Sequence, residues 1–236
     1  MGFSVYSNKG KVRNDNEDSY LVKEGKFPLI AVADGMGGHQ AGELASSLAV
    51  DLLDNYDFNY QNDLLNELIK VFNLANEEIL LKAEEDLEYS GMGTTLTAAI
   101  IYYDVMYIAH IGDTRIYLYR NNQLYQVTTD HSLVNELLKQ KQISCKEAFN
   151  HPHKNIITQA LGSIEELEIE SKKVDLLAGD RLLFSTDGLH DMLRFNEIKK
   201  FLGMDKNLED LSELMGKQAM KNGGSDNITL VLFDIN

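Results

Sequence analysis

Apolar residues recur along this chain in two rhythms, and the alternation between them predicts the fold. Short runs rich in β-branched and aromatic residues occupy 3–7, 19–23, 29–33, 95–102, 105–111, 115–120, 123–127, 181–185 and 228–233, the signature of strands. Helical spacing governs 38–56 and 62–87; in the second block Leu64, Leu65, Leu68, Val71, Phe72, Ala75, Ile79 and Leu80 recur at helix spacing. Shorter helices are expected over 131–142, 144–149, 197–202 and 208–221, the last followed by a Gly223-Gly224 turn into the final strand. From Thr95 to Val127 strands follow one another directly, with Asn121-Asn122 as a turn, so the sheets should be antiparallel. Two helices before this block and two after it predict an α+β fold: a four-layer αββα sandwich, two antiparallel β-sheets flanked by helix pairs.

Bulk properties narrow the class. At 236 residues and 44% hydrophobic composition the chain can bury a full core, and 1–236 is expected to form one domain. A polar stretch, His151-Pro152-His153-Lys154-Asn155, marks 130–161 as a candidate insertion over the sandwich. The net charge of −15 repels a nucleic-acid backbone or an anionic membrane surface, so neither is expected as a partner. The single cysteine, Cys145, cannot form an internal disulfide, and the amino terminus lacks a secretory pattern; a cytoplasmic location is expected. No apolar run reaches bilayer-spanning length. Met1-Gly2 does not complete a myristoylation motif, because position 6 is Tyr.

The chemistry is concentrated at strand ends. Asn16-Glu17-Asp18, Asp34-Gly35-Met36-Gly37-Gly38-His39, Gly112-Asp113-Thr114-Arg115, Asp187-Gly188-Leu189-His190-Asp191 and Ser225-Asp226-Asn227 each adjoin an apolar run. Carboxylates delivered from several strand ends can meet at one point, and hard divalent cations prefer oxygen ligands. Taken singly, each cluster reads equally well as a turn or a helix cap. The second Asp-Gly after a strand, at Asp187, repeats the first at Asp34 and weakens that bland reading.

Together these motifs resemble the metal-dependent serine/threonine protein phosphatases of the PP2C (PPM) type, in their compact bacterial form. The resemblance rests on Arg13-Asn14-Asp15-Asn16-Glu17-Asp18, Asp34 to His39 with Gly42-Glu43, Gly91-Met92-Gly93-Thr94-Thr95, Gly112 to Arg115, Asp130-His131-Ser132, Leu161-Gly162, Ser185 to Leu189 with Asp191, and Ser225 to Thr229, in order from Phe3 to Phe233. It implies a binuclear Mn²⁺ or Mg²⁺ centre, two ions per subunit with a weaker third, and hydrolysis of phosphoserine and phosphothreonine in proteins, opposing a bacterial Ser/Thr kinase. Asp34 would bridge both metals, Gly35 would offer its carbonyl, and Asp187 and Asp226 would complete the second ion's ligands. Asp18 and Glu17 would bind or orient metal-held water, and Asp113 would belong to the third site with Asp191 in support. His39 falls close to the site in the family pattern. The segment 130–161 corresponds to a flap, with Leu133, Asn135, Lys139, Lys154 and Asn155 as candidate substrate contacts.

The chemistry is coherent without the family name. Water attacks a phosphomonoester dianion slowly, so the site must activate water and neutralise phosphoryl charge, and two metals do both. Arg13, just before Glu17-Asp18, is then the natural phosphate clamp, since its planar fork matches two phosphate oxygens. Asp34 does not suit an aspartyl nucleophile of the haloacid-dehalogenase kind, which needs a second Asp where Met36 stands. Met36 also departs from relatives that carry His there, leaving the general acid unassigned. Two other readings stay open: a non-catalytic relative, which should have lost metal acids or Arg13, and a hydrolase of small phosphate esters or nucleotides.

Overall fold

The computed structural model describes residues 2–38, 40–144, 147–148, 151–163 and 166–235. Its strands are β1 (Gly2–Asn8), β2 (Asp18–Lys23), β3 (Leu29–Met36), β4 (Gly93–Thr94), β5 (Leu96–Tyr102), β6 (Val105–Ile111), β7 (Arg115–Arg120), β8 (Gln123–Gln126), β9 (Glu170–Asp175), β10 (Arg181–Ser185) and β11 (Ile228–Asp234). One sheet has the order β1-β11-β10-β7-β8 and the other β2-β3-β5-β6-β9, with β4 on the end of β3. The pairings are antiparallel, as the succession of hairpins predicts.

Alternation along the strands builds three apolar layers. Ile30 and Val32 of β3, Ala99 and Ile101 of β5, Phe184 of β10 and Val231 and Phe233 of β11 meet between the sheets. The intervening residues turn outward: Ala31, Ala33, Ala98 and Ile100 pack on one side, and Leu183, Leu230 and Leu232 on the other. Both faces of each sheet are covered, which is why the central strands read as nearly continuous apolar runs. Helices α1 (Gln40–Asn55) and α2 (Leu64–Glu85) cover the first outer face through Leu53, Leu68, Phe72 and Ile79. The second is covered by α5 (Phe195–Leu202) and α6 (Leu208–Asn222), through Ile198, Leu211 and Met215. The four-layer αββα sandwich is the observed architecture.

Local departures have local causes. The first long helix begins at Gln40, and the second runs 64–85 because the Asp63 carboxylate accepts the Leu65 N–H at 3.1 Å and caps it. Strand β9, Glu170-Ser171-Lys172-Lys173-Val174-Asp175, is absent from the sequence reading. Of its half-buried positions, Glu170, Lys172 and Val174, only the last is apolar, as suits an edge strand. Asn121 and Asn122 both have positive φ (50° and 59°) and make the turn predicted between β7 and β8. The helix expected over 131–142 is α3 (Leu133–Lys139), started by the Ser132 cap. The helix expected over 144–149 falls partly outside the described residues, as does Cys145. Among the described residues no helix is long and apolar enough to cross a membrane.

Candidate metal centre

The acidic motifs meet at one end of the sandwich. Sequence periodicity stops the third strand at Ala33, but β3 continues through Asp34 and Gly35 to Met36 because β4 pairs with it, Gly35 opposite Thr94 and Met36 opposite Gly93. Asp34 is thus held in a strand, its N–H bonded to Thr95 Oγ1 at 2.9 Å and its carbonyl accepting the Thr95 N–H at 2.9 Å. On its other side Asp34 stands directly opposite Asp18 in the β2–β3 register. Like charges facing each other across a ladder are destabilising. Such a pair persists when something besides stability selects it.

The remaining acids arrive from the other sheet and from loops. Asp187 follows β10 and opens a single helical turn, α4 (Asp187–His190); Asp226 precedes β11; Asp113 lies in the turn from β6 to β7. One cleft is lined by Arg13, Glu17, Asp34, Gly35, Asp187 and Asp226, among others, and its wall includes Asp113 and Asn155. Arg13 reaches across it, Nη2 donating to Asp226 Oδ2 at 2.8 Å. Glycine makes the close packing possible: a Cβ on Gly35 would collide with the Gly42 carbonyl, and one on Gly42 with the Glu17 carboxylate. These two positions explain why the loop after Asp34 and the first turn of α1 carry glycine.

The electrostatics are those of a site built for a cation. Asp18 Oδ1, Asp113 Oδ1 and Asp187 Oδ1 are buried with no hydrogen-bond partner. Burial pushes Asp18 up to about 7 against the pull of hydrogen bonds from Thr229 and Thr186, with Asp226 and Glu17 adding to the rise. Burial, then the neighbouring Asp130, pushes Asp113 up to about 7. Asp34 is raised well above the ordinary carboxylate range by burial and then by Asp187, Asp18, Asp113 and Asp226. Asp187 is raised in the same way, by burial and then Asp113, Asp226, Asp191 and Asp18. Unpaired buried carboxylate oxygens are costly, and a divalent cation removes both the desolvation and the repulsion.

The donor set fits Mg²⁺ or Mn²⁺: all oxygen and mostly carboxylate. Among the described residues no three acid, histidine or cysteine side chains already close round a single point. Mg²⁺ commonly keeps several waters and takes only one or two carboxylates, so a closed ring of acids is not required.

Several expected residues fall elsewhere. Asp191 accepts Lys154 Nζ at 2.5 Å, and Asn155 lines the cleft, so the flap reaches the site. Leu133 donates its N–H to the Ile156 carbonyl at 3.0 Å, and Asn135 Nδ2 bonds the Asp130 carbonyl at 2.6 Å; both brace the flap internally. Lys139 is exposed and lines neither cleft at this end. His39 lies outside the described residues. His190 is buried against Ser185 Oγ at 3.0 Å and burial holds its pKa well below the usual value, keeping it neutral.

Sequence reasoning missed the residues that hold the acids. Asn227 is a hub: Nδ2 donates to the carbonyls of Lys9 (3.0 Å) and Asp15 (2.9 Å), and Oδ1 accepts the Glu17 N–H at 2.9 Å. It ties the Arg13-to-Asp18 loop to β11. Thr186 Oγ1 donates to Asp18 Oδ2 at 2.9 Å and accepts the Thr229 N–H at 3.0 Å, so one hydroxyl links the two sheets beneath the acids. Each sits next to a predicted acid in sequence, the one signal that could have found it.

A carboxylate-lined cleft with an arginine at its edge suits a divalent cation beside a phosphate group. The profile of the protein phosphatase 2C family matches residues 8–223. The serine/threonine phosphatase stp of Listeria monocytogenes is 40% identical over 235 residues, covering 97% of this chain and 93% of that protein. The solved Mycobacterium tuberculosis serine/threonine phosphatase PstP/Ppp superposes with a TM-score of 0.92 at 36% identity, covering 100% of this chain and 98% of that one. The catalytic domain of PstP solved in complex with two manganese ions superposes at 0.88, with 34% identity over 100% of this chain and 98% of that one. The chain belongs to the protein phosphatase 2C family. It is a protein serine/threonine phosphatase that uses divalent metal and acts on phosphoproteins.

Proposed function

We propose that the chain hydrolyses phosphoserine and phosphothreonine at a binuclear Mn²⁺ or Mg²⁺ centre held by Asp34, the Gly35 carbonyl, Asp187 and Asp226. The observation that carries this reading is the set of buried, unpartnered carboxylate oxygens on Asp18, Asp113 and Asp187, gathered round Asp34. When bound, such ions lower the pKa of water and neutralise phosphoryl oxygens. The protein's own residues do the rest. Asp18, fixed by Thr186, and Glu17, fixed at its backbone by Asn227, orient water at the inner wall of the cleft. Asp113, with Asp191 in support, provides for a weaker third ion. The flap, 130–161 in a single domain, presents Lys154 and Asn155 to the substrate. The chain acts in the cytoplasm, opposing a Ser/Thr protein kinase.

Arg13 clamps the phosphate. Its guanidinium stands at the cleft edge, half exposed, with Asp226 as its partner. A pair that open to solvent contributes little stability, leaving the fork free to exchange Asp226 for a phosphate. Arg13→Ala is expected to raise KM for phosphopeptides roughly tenfold to a hundredfold with a smaller change in kcat, the loss of a charge-assisted bond made in ground and transition state alike. Steady-state kinetics on a phosphothreonine peptide check this.

One assay tests the whole reading. The protein should hydrolyse p-nitrophenyl phosphate and a phosphothreonine peptide with Mn²⁺, lose both activities in EDTA, and regain them on readdition of Mn²⁺. Activity that survives EDTA sinks the metal reading. Faster hydrolysis of nucleotides than of the phosphopeptide would point instead to a small-ester hydrolase.

A further inference from the structure

Beside the carboxylate cleft lies a second hollow, continuous with it through Asp113, Asn155 and Asp187, which line both. Its inner end is formed by the flap, where Val134 and Leu138 of α3 and nearby Ala148 make an apolar wall. The charged groups nearest that wall, and Gln126, are partnered within the chain. Arg115 is held by Asp130 through Nε at 2.9 Å and Nη2 at 2.5 Å, and gives Nη1 to the Tyr117 hydroxyl at 3.0 Å. Gln126 Nε2 donates to Asp130 Oδ1 at 2.8 Å, and Lys154 neutralises Asp191.

In such a hollow, donors and acceptors that are already satisfied offer a polar guest nothing it does not already have in water, and breaking those bonds would cost affinity. Such a space binds by taking apolar surface out of water. Its ion pairs are matched, Arg115 with Asp130 and Lys154 with Asp191, so the inner end carries no excess charge. The unpartnered oxygens of Asp113 and Asp187 belong to the two residues shared with the carboxylate cleft. That shared wall fixes the source of the guest: it must belong to the molecule whose phosphate occupies the neighbouring cleft.

We propose that this hollow seats an apolar side chain of the phosphoprotein, within a few residues of the phosphoserine or phosphothreonine, with Val134 and Leu138 as the specificity-determining residues. The proposal rests on the hydrolytic reading above and names the substrate class more closely: phosphosites flanked by Leu, Ile, Met or Phe. Burying one such side chain should favour the matching peptide on the order of tenfold in kcat/KM, mostly through KM.

The test compares phosphothreonine peptides in which each of the three positions on either side is set in turn to Leu, Glu, Lys or Gly. The wild-type enzyme should prefer Leu at one of these positions. Leu138→Gln should erase that preference, and Val134→Thr should weaken it, while p-nitrophenyl phosphate, too small to reach the flap, is hydrolysed at the wild-type rate by both. No Leu preference in the wild type, a preference for Lys or Glu, or a Leu preference that survives Leu138→Gln would each overturn the proposal. The wild-type comparison alone decides the matter if a variant fails to fold. An enzyme inactive on p-nitrophenyl phosphate with Mn²⁺ would overturn the hydrolytic reading beneath it as well.

Discussion

Asp34→Asn is expected to lower Mn²⁺-dependent kcat/KM by roughly a thousandfold, since charge stabilisation by metal is worth several kcal/mol. The carboxamide keeps the shape of the side chain, and the backbone of Asp34 is held by Thr95 regardless of what the side chain carries. The strand should therefore survive. The substitution also removes a charge that faces Asp18 across the ladder and stands close enough to Asp187, Asp113 and Asp226 to be raised by each. Without metal, the D34N protein should melt at a higher temperature than the parent. Loss of activity together with a gain in metal-free stability is the signature of a residue kept for function. A structural aspartate would give the reverse. Calorimetric titration with Mn²⁺ and melting in EDTA read the two halves separately, and Asp187→Asn should behave alike. A D34N enzyme with near-parental activity would remove Asp34 from the centre.

The sequence made the four layers legible because both faces of each central strand are covered. Near-continuous runs such as Leu29 to Ala33, flanked by long amphipathic helices, leave few other arrangements. β9 escaped because an edge strand with Lys172 and Lys173 lacks apolar alternation, and its pairing to β6 is a long-range fact. The acids were visible as strand-end clusters, and Asp34 and Asp18 proved to be cross-strand partners. The supporting polar frame was not visible. Thr186 bonds Asp18 and Asn227 bonds Lys9, 168 and 218 positions away, and beyond lying next to an acid neither carries a local mark of such a partner. Lys139 shows the other side of this: its charge and its place on the flap were legible, but that it lines neither cleft depends on how α3 packs.

Metal-free protein is expected to lose stability as pH rises from 6.5 to 8.5, and Mn²⁺ should cancel that loss. Asp18 and Asp113 have folded pKa values raised from 3.8 to about 7, so their protonated forms are favoured in the native state. Stability from such groups is fully present below the unfolded value and disappears as pH passes the folded one. Buried histidines pull the other way. His110, lowered from 6.5 to about 4, and His131 and His190, also lowered, cost stability as pH falls, and because an unfolded imidazole is half protonated at 6.5 each still recovers at most about 0.4 kcal/mol above it. The four acids together outweigh that recovery across the window from 6.5 upward. Across it Asp18 and Asp113 contribute about 1 kcal/mol each, with more from Asp34 and Asp187. A total of at least about 2 kcal/mol lowers Tm by roughly 4–8 °C for a chain of this size. Mn²⁺ binds the deprotonated acids, so its stabilisation should grow over the same interval and flatten or reverse the slope. Scanning calorimetry in EDTA and in excess Mn²⁺ at pH 6.5, 7.5 and 8.5 tests this. A metal-free Tm that does not fall, or a Mn²⁺ shift independent of pH, would mean that these carboxylates are not the ones that hold the metal.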